Sequence, residues 1–262
     1  MNLIVVRESD IWETDGQRFV SITDKRRISH IRHVLRAEVG KVLKLGIINS
    51  TQDTATVVAV DASRVDLRLS DAFLTHIPPA TPLVDLVIGL PRPKTLDKFL
   101  QYAASIGVAR IKLVCSSRVE LDYLKSHQLE GDSLEKSLIL GMEQGVSTFM
   151  PQIELFKSFG ALERHLKNEA CCVKLIAHPN TTDTLGSLGI NRHQHGPIMV
   201  AIGPEGGWTE KEVEFYEGLG FKPFNIGDRI LRTEVAIVAI VAQLSLLLSD
   251  VTLRDGIPPA ER

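Results

Sequence analysis

Hydrophobic positions follow two rhythms along this chain. Segments 41–49, 54–61 and 64–69 are rich in Val, Ile, Leu and Thr and are divided by tight polar turns, which predicts three consecutive antiparallel strands. Ahead of them, apolar residues at 28, 31, 34 and 35 keep helical spacing behind Asp24, which predicts a helix over 25–37, N-capped by Asp24 and ended by Gly40. On such a helix Arg32 and Arg36 share a face away from Ile28, Ile31 and Leu35. A small β-barrel with one helix is expected for the first 75 residues.

The segment 73–82 contains Ile77-Pro-Pro-Ala-Thr-Pro82, too stiff to continue a helix or a central strand. A boundary is therefore expected here, dividing 1–74 from 82–262. Beyond it the pattern becomes strand 83–90, helix 96–106 stopped by Gly107, and strand 108–115. Further strands are expected at 152–156, 172–177 and 198–202, and helices at 133–143, 161–168, 210–217 and 234–248. Alternation of this kind implies a parallel sheet covered by helices, the α/β class. Residues 235–248 are apolar on nearly all faces, yet shorter than the roughly 20 residues that span a bilayer. They predict a helix buried on every side, for which a subunit interface is a natural setting.

Composition changes this picture little. The chain has 262 residues, 44% hydrophobic and 24% charged, long enough for two domains with real cores. Four apolar residues precede the first charge, too few for a signal peptide, and Cys115, Cys171 and Cys172 form no framework or zinc spacing. A reducing, cytoplasmic setting is expected. Charge is more informative: a net charge of −2 conceals seven basic residues and one acidic residue between Lys25 and Lys44. Such a patch is the footprint of phosphate binding, although a solvated helix face explains short charge runs equally well.

Two segments carry candidate chemistry. In Ile198-Met-Val-Ala-Ile202-Gly203-Pro-Glu205-Gly206-Gly207-Trp-Thr209, a buried strand enters a glycine-rich loop, and a Thr209-x-x-Glu212 capping box then opens a helix. Loops at the carboxyl ends of parallel strands bind ligands, and glycines let backbone approach a flat one closely. A tight turn without a ligand would read the same way. In Asn225-Ile226-Gly227-Asp228-Arg229-Ile230-Leu231-Arg232-Thr233-Glu234, a loop with two arginines enters the apolar helix. Thr233 is expected to cap that helix, and Arg232 to aim a cation at the glycine loop. Ion pairs with Glu205, Asp228 or Glu234 are the plainer role for these arginines. Neither a P-loop nor a Gly-x-Gly-x-x-Gly fingerprint occurs, which disfavours a triphosphate or NAD. His193 and His195 lack a third ligand, so no metal is expected.

Gly203-Pro-Glu-Gly-Gly followed by Gly227-Asp-Arg-Ile-Leu-Arg-Thr-Glu resembles the paired signature of the bacterial 16S ribosomal RNA uridine N3-methyltransferases, of the SPOUT class. His30-Ile-Arg-His-Val-Leu-Arg36, Lys94, Gln101, Ile106-Gly-Val and Glu143-Gln144 extend the similarity over nearly the whole chain. The resemblance implies a PUA-like barrel, a SPOUT α/β domain with a trefoil knot near 198–250, a homodimer and S-adenosylmethionine as cofactor. It implies cofactor contacts at His178, Pro179, Ile202, Gly203, Glu205, Gly206, Gly207, Ile226, Gly227, Ile230, Leu231 and Arg232. Where the family carries Glu-Gln-Ser-x-Arg this chain has Glu143-Gln144-Gly145, and where it carries Thr-Glu-Thr-Ala this chain has Thr233-Glu-Val235-Ala.

The implied reaction is methyl transfer to a uridine N3 in small-subunit ribosomal RNA or its 30S particle. Arg232 would stabilise the developing negative charge, and Glu205, Glu234 or water would take the proton. Candidate RNA contacts are Arg26, Arg27, Arg32 and Arg36 in the basic stretch, Lys94, and Arg118, whose Ser116-Ser117-Arg118 segment equally suits a capped turn. Methylation of another RNA position, and a catalytically silent RNA-binding assembly protein, are the alternatives.

Overall fold

The structure, a computed structural model, describes residues 2–169, 173–191 and 196–248. Its first half holds β1 (Ile4–Val6), β2 (Ile11–Thr14), β3 (Gln17–Ile22), α1 (Lys25–Ser29), β4 (Val42–Ile47), β5 (Gln52–Val60) and β6 (Val65–Leu69). These strands form one mixed sheet in the order β1-β4-β5-β6-β3-β2, antiparallel except where β1 runs parallel to β4. Alternation decides which side is filled: Leu43, Leu45, Ala55, Val57, Val65 and Leu67 point into a core shared with Val20, Ile22, Ile28 and Ile31, while the residues between them face outward.

The helix expected over 25–37 is cut short. After Ser29 the chain widens into one π-type turn, His30–Val34, in which the Leu35 amide donates to the His30 carbonyl, and Arg36 adopts a left-handed φ of 47°. Ile28 and Ile31 remain buried, but Val34 turns to solvent. Arg32 and Arg36 therefore do not share a helix face.

Beyond Pro82 the chain builds β7 (Val84–Gly89), α2 (Pro93–Ile106), β8 (Val108–Val114), α3 (Gly131–Gly145), β9 (Gln152–Phe156), α4 (Phe159–Lys167), β10 (Val173–Ala177), β11 (Ile198–Ile202), α5 (Glu210–Gly218), β12 (Lys222–Phe224) and α6 (Thr233–Leu248). Its six strands are all parallel, in the order β12-β10-β11-β7-β8-β9. The short strand β12 escaped the sequence reading because it contains Pro223, a residue that strands tolerate at sheet edges. The position of Cys172, expected to start β10, lies outside the described residues, as do Cys171, His193, His195 and everything beyond 248.

One face of this sheet is covered by α2, α3 and α6, through Phe99, Leu100, Met142, Ile237, Ile240 and Leu244. The other is covered by α4 and α5, through Leu162, Leu166 and Tyr216. Helices α2 and α3 cross closely because α3 carries glycines there: a Cβ on Gly141 would stand 2.2 Å from the Gln101 carbonyl oxygen, and one on Gly145 2.5 Å from that of Ser105. Glycine at 145 thus serves helix packing. In α6, Ile237, Ile240, Val241 and Leu244 are buried, whereas Val235, Val238, Ala242 and Leu246 are exposed. The expectation of burial on every side fails among the described residues, because one of two apolar stripes is buried and the other is exposed.

The first sheet is attached to the second at α3. Glu143 is almost wholly buried and receives Arg26 at 2.6 Å and Arg27 at 3.0 Å, while its carbonyl accepts from the amides of Asn2 and Leu3. The Asn49 amide donates to the Thr148 carbonyl at 2.7 Å, and the Thr148 hydroxyl to that of Ser50 at 2.7 Å. Strand β1 serves both cores: Ile4 and Val6 enter the first, Leu3 and Val5 the second.

Candidate functional site

The carboxyl ends of β10, β11 and β12 open onto a cleft of about 630 Å³. Its floor is apolar, formed by Ile202, Phe224, Ile226, Ala236 and Ile240. One wall is the glycine loop Gly203, Pro204, Glu205, Gly206 and Gly207; another is the loop carrying Gly227, Arg229, Ile230, Leu231 and Arg232; the strand end at His178 and Pro179 closes a third side. Every residue named from the sequence as a cofactor contact lines this space.

Each wall has a local physical cause. Strand β7 must end in glycine, since a Cβ on Gly89 would stand 2.3 Å from Pro204 Cδ and 2.7 Å from its backbone nitrogen. Gly207 then turns with φ of 70°, a conformation that costs a side-chain-bearing residue about 1 kcal/mol. The capping box forms as expected: the Thr209 hydroxyl accepts from the Glu212 amide, and Glu212 Oε2 accepts from the Thr209 amide at 2.7 Å. Glu212 does more than cap, because its Oε1 also accepts from the Ser117 amide at 2.7 Å. That bond ties the segment after β8 to α5. Trp208 is held in an aromatic cluster with Phe159 and Tyr216, where burial pushes the Tyr216 phenol well above its usual range and keeps it neutral.

The predicted roles of individual residues are partly rearranged. Arg118 covers the glycine loop: its Nη1 donates to the Gly206 carbonyl at 2.6 Å, and a Cβ on Gly206 would meet the arginine stem at 3.2–3.3 Å. Gly206 is therefore small at least partly to admit Arg118. Glu205 lines the cleft while its Oε1 accepts from the Arg92 amide at 3.1 Å, at the residue that opens α2. Glu234 lies in the first turn of α6 and is not among the lining residues. Thr233 does not cap α6. It lies inside the helix, buried, and its hydroxyl donates to the Gly203 carbonyl at 3.3 Å, whereas the Arg232 carbonyl accepts the first helical amides, those of Val235 and Ala236. Thr233 thus joins the two loops.

The side chains of Arg229 and Arg232 are exposed and make no ion pair or hydrogen bond with any described residue. Ion pairing with Glu205, Asp228 or Glu234 does not occur among them. Ile230 is 89% exposed at the rim. Of the remaining basic candidates, Arg26 and Arg27 turn to Glu143, while Lys94, Arg36 and the half-buried Arg32 carry no described ion pair. Asn180, Asn225, Trp208 and Thr233 also line the cleft, which the sequence did not indicate. Asn225 had a signal in hindsight, since it follows a strand directly; its amide donates to the Asp183 carbonyl and its side chain to that of Thr181. Among the described residues no group of three or more His, Cys, Asp or Glu is arranged to hold a metal ion, and no helix is long and apolar enough to cross a membrane.

A family model described as an RNA methyltransferase domain matches residues 79–245. Over 250 residues the chain is 32% identical to the ribosomal RNA small subunit methyltransferase E of Treponema pallidum, an alignment covering 92% of this chain and 90% of that one. The fold is similar to the crystal structure of a ribosomal RNA small subunit methyltransferase E from Neisseria gonorrhoeae bound to S-adenosyl methionine, with a TM-score of 0.72 and 24% identity over 94% of this chain and 98% of that one. It is also similar to a putative methyltransferase from Legionella pneumophila in complex with the same cofactor, with a TM-score of 0.73 and 23% identity over 94% and 98%.

Proposed function

The chain belongs to the RNA methyltransferase family, and on that premise we propose that it methylates N3 of a uridine in small-subunit ribosomal RNA, using S-adenosylmethionine. The observation that carries this reading is the cleft itself, where an apolar floor and a glycine-lined wall stand beside two arginines that pair with no described residue. The residues fit such a cofactor. A flat, partly apolar adenosine suits Ile202, Phe224, Ile226 and Leu231, and the open amides and carbonyls of 203–207 and 226–231 suit its polar edges. When bound, the cofactor supplies an electrophilic methyl group.

The chain's own work is alignment and charge. Uridine N3 becomes a good nucleophile once its proton leaves, and the negative charge then spreads onto the ring carbonyls. Arg232, free of any described counter-ion, stabilises that charge where it develops. Of the two carboxylates, Glu205 is the one in the cleft, so it or water takes the proton; Glu234 stands outside the lining.

The same reading gives the molecule a PUA-like RNA-holding unit over 1–74 and a SPOUT unit over 82–262, knotted near 198–250. What supports the knot is the path of the chain: β12 lies at the sheet edge beyond β10, the chain then bonds to the 181–184 segment through Asn225, and it returns as α6 against α2 and β11. The outward apolar stripe of α6 supports a homodimer, and the RNA substrate supports a cytoplasmic setting.

Replacing Arg232 by Ala should lower kcat about 100-fold or more, with cofactor affinity within a few-fold of wild type. Calorimetry and single-turnover kinetics on the same protein measure both. A stable variant with a wild-type rate removes Arg232 from the mechanism. Nucleoside mass mapping of 16S ribosomal RNA, from cells with and without the protein, tests the uridine N3 assignment.

A further inference from the structure

Away from the cleft, the outward face of the first sheet carries an exposed aromatic stack. Trp12 on β2 pairs across the strands with Phe19 on β3, their ring centroids 4.7 Å apart and their planes 18° from parallel. Trp12 keeps 40% of its surface exposed, and its Nε1 donates to the Ser21 hydroxyl at 3.2 Å, which fixes the indole. The next residue in the row is Arg68, opposite Phe19 on β6, followed by Thr56 on β5. Arg68 is exposed and makes no hydrogen bond or ion pair with any described residue.

Arg68 and Thr56 also form one wall of a groove of about 430 Å³, whose opposite side includes Gly16 and Gln17 at the β2–β3 turn. Thr54 continues that wall, and Lys44 stands across from it on β4. Acidic groups here include Asp71 among the lining residues and Asp15 beside Gly16 at the turn, while Asp66 is paired with Arg64, Glu8 with the lining Arg18, and Asp53 accepts from the lining Ser70. A flat, fixed π-surface, an unpaired guanidinium beside it and a polar channel leading away match the needs of a single-stranded nucleic acid. Unpaired bases stack on aromatic faces while cations follow the phosphates. A stack serving only to stabilise the β2–β3 hairpin would need neither the free arginine nor the adjoining groove.

We propose that this face holds a single-stranded RNA segment, stacking one unpaired base on Trp12 and Phe19 and placing the adjoining phosphate against Arg68. The inference rests on the reading of the protein as an RNA methyltransferase, and it assigns to the first sheet a specific grip on the strand that carries the target.

The chain has two tryptophans, and Trp208 lines the cleft, so the part of the quenching by a short oligouridylate that Trp12→Leu abolishes reports on Trp12. The full chain should show saturable quenching. Trp12→Leu and Phe19→Leu, which keep apolar bulk but remove the π-face, should weaken oligonucleotide binding by roughly 5- to 100-fold. Trp12→Tyr should restore most of the affinity, measured by anisotropy of a labelled oligonucleotide. Arg68→Ala should weaken binding and reduce the salt slope by about one counterion. Cofactor affinity and melting temperature, recorded on each variant, identify any that have lost their fold.

A folded Trp12→Leu variant that binds the oligonucleotide as wild type does, or a wild type whose emission no RNA quenches, overturns the proposal and leaves this face to a protein partner or to solvent. The two readings fail separately. A chain that neither binds the cofactor nor methylates RNA, yet grips it through Trp12, keeps the platform and loses the enzyme. Full methylation with an unchanged KM in Trp12→Leu keeps the enzyme and loses the platform.

Discussion

Gly89 shows how much of the cleft is decided by single atoms. It ends β7 beneath Pro204, and the atoms that a Cβ would strike belong to a proline ring and its backbone nitrogen, neither of which can rotate aside. Gly89→Ala should cost about 2 kcal/mol, the scale of overpacking in a rigid core, and should weaken cofactor binding because the glycine loop is displaced; urea unfolding and calorimetry measure the two. Gly206→Ala should differ, since its Cβ meets only the flexible stem of Arg118. Stability should change by well under that amount. At this scale the sequence was a good guide to which residues gather and a poor one to what they touch. The two motif segments, Gly203–Gly207 and Ile226–Arg232, line one cleft, whereas the bonds from Arg118 to Gly206 and from Glu205 to Arg92 join positions about 90 and 110 apart in sequence and leave no local periodicity to read. Thr233 reads as a cap because a hydroxyl at a helix start usually accepts a local amide; here it donates instead to the distant Gly203 carbonyl.

Among the elements, those with long regular patterns were legible, and the errors cluster where a tertiary contact overrides propensity. The 25–37 helix carries the right stripe in Ile28 and Ile31, but Arg26 and Arg27 are drawn to Glu143 and the chain widens into a π-type turn, after which Arg36 goes left-handed. Basic residues expected to serve RNA thereby serve the attachment of one sheet to the other. Glu143→Gln removes the charge that faces both guanidiniums and should destabilise the protein by about 1–3 kcal/mol, less than a fully buried pair because Arg26 is 43% exposed. The loss should appear as a lower urea midpoint with unchanged slope, and cofactor affinity in the folded protein should stay the same. The strand β12 was invisible for a different reason: three residues with a proline hold no pattern.

For the molecule as a whole, the apolar residues on the outward side of α6 are the largest statement. Val235, Val238, Ala242 and Leu246 follow one another at helical spacing along one exposed stripe, and a second copy of the chain can bury it by two-fold symmetry. Light scattering at micromolar concentration should give twice the chain mass, and Val238→Asp should give the monomer with weakened cofactor binding, since α6 also supplies Ala236 and Ile240 to the cleft. A wild-type monomer would remove both the dimer and its coupling to the site. The division of labour along β1 has a consequence for how the protein is made. This strand is made before the elements it packs against, and its Ile4 and Val6 can enter the first core once β4 to β6 have followed. Leu3 and Val5 must then wait, uncovered, until α3 emerges with Glu143, whose carbonyl receives the amides of Asn2 and Leu3. Synthesis therefore passes through a stage in which a nearly finished small sheet displays two apolar side chains, and the later helix closes both parts of the molecule in one step.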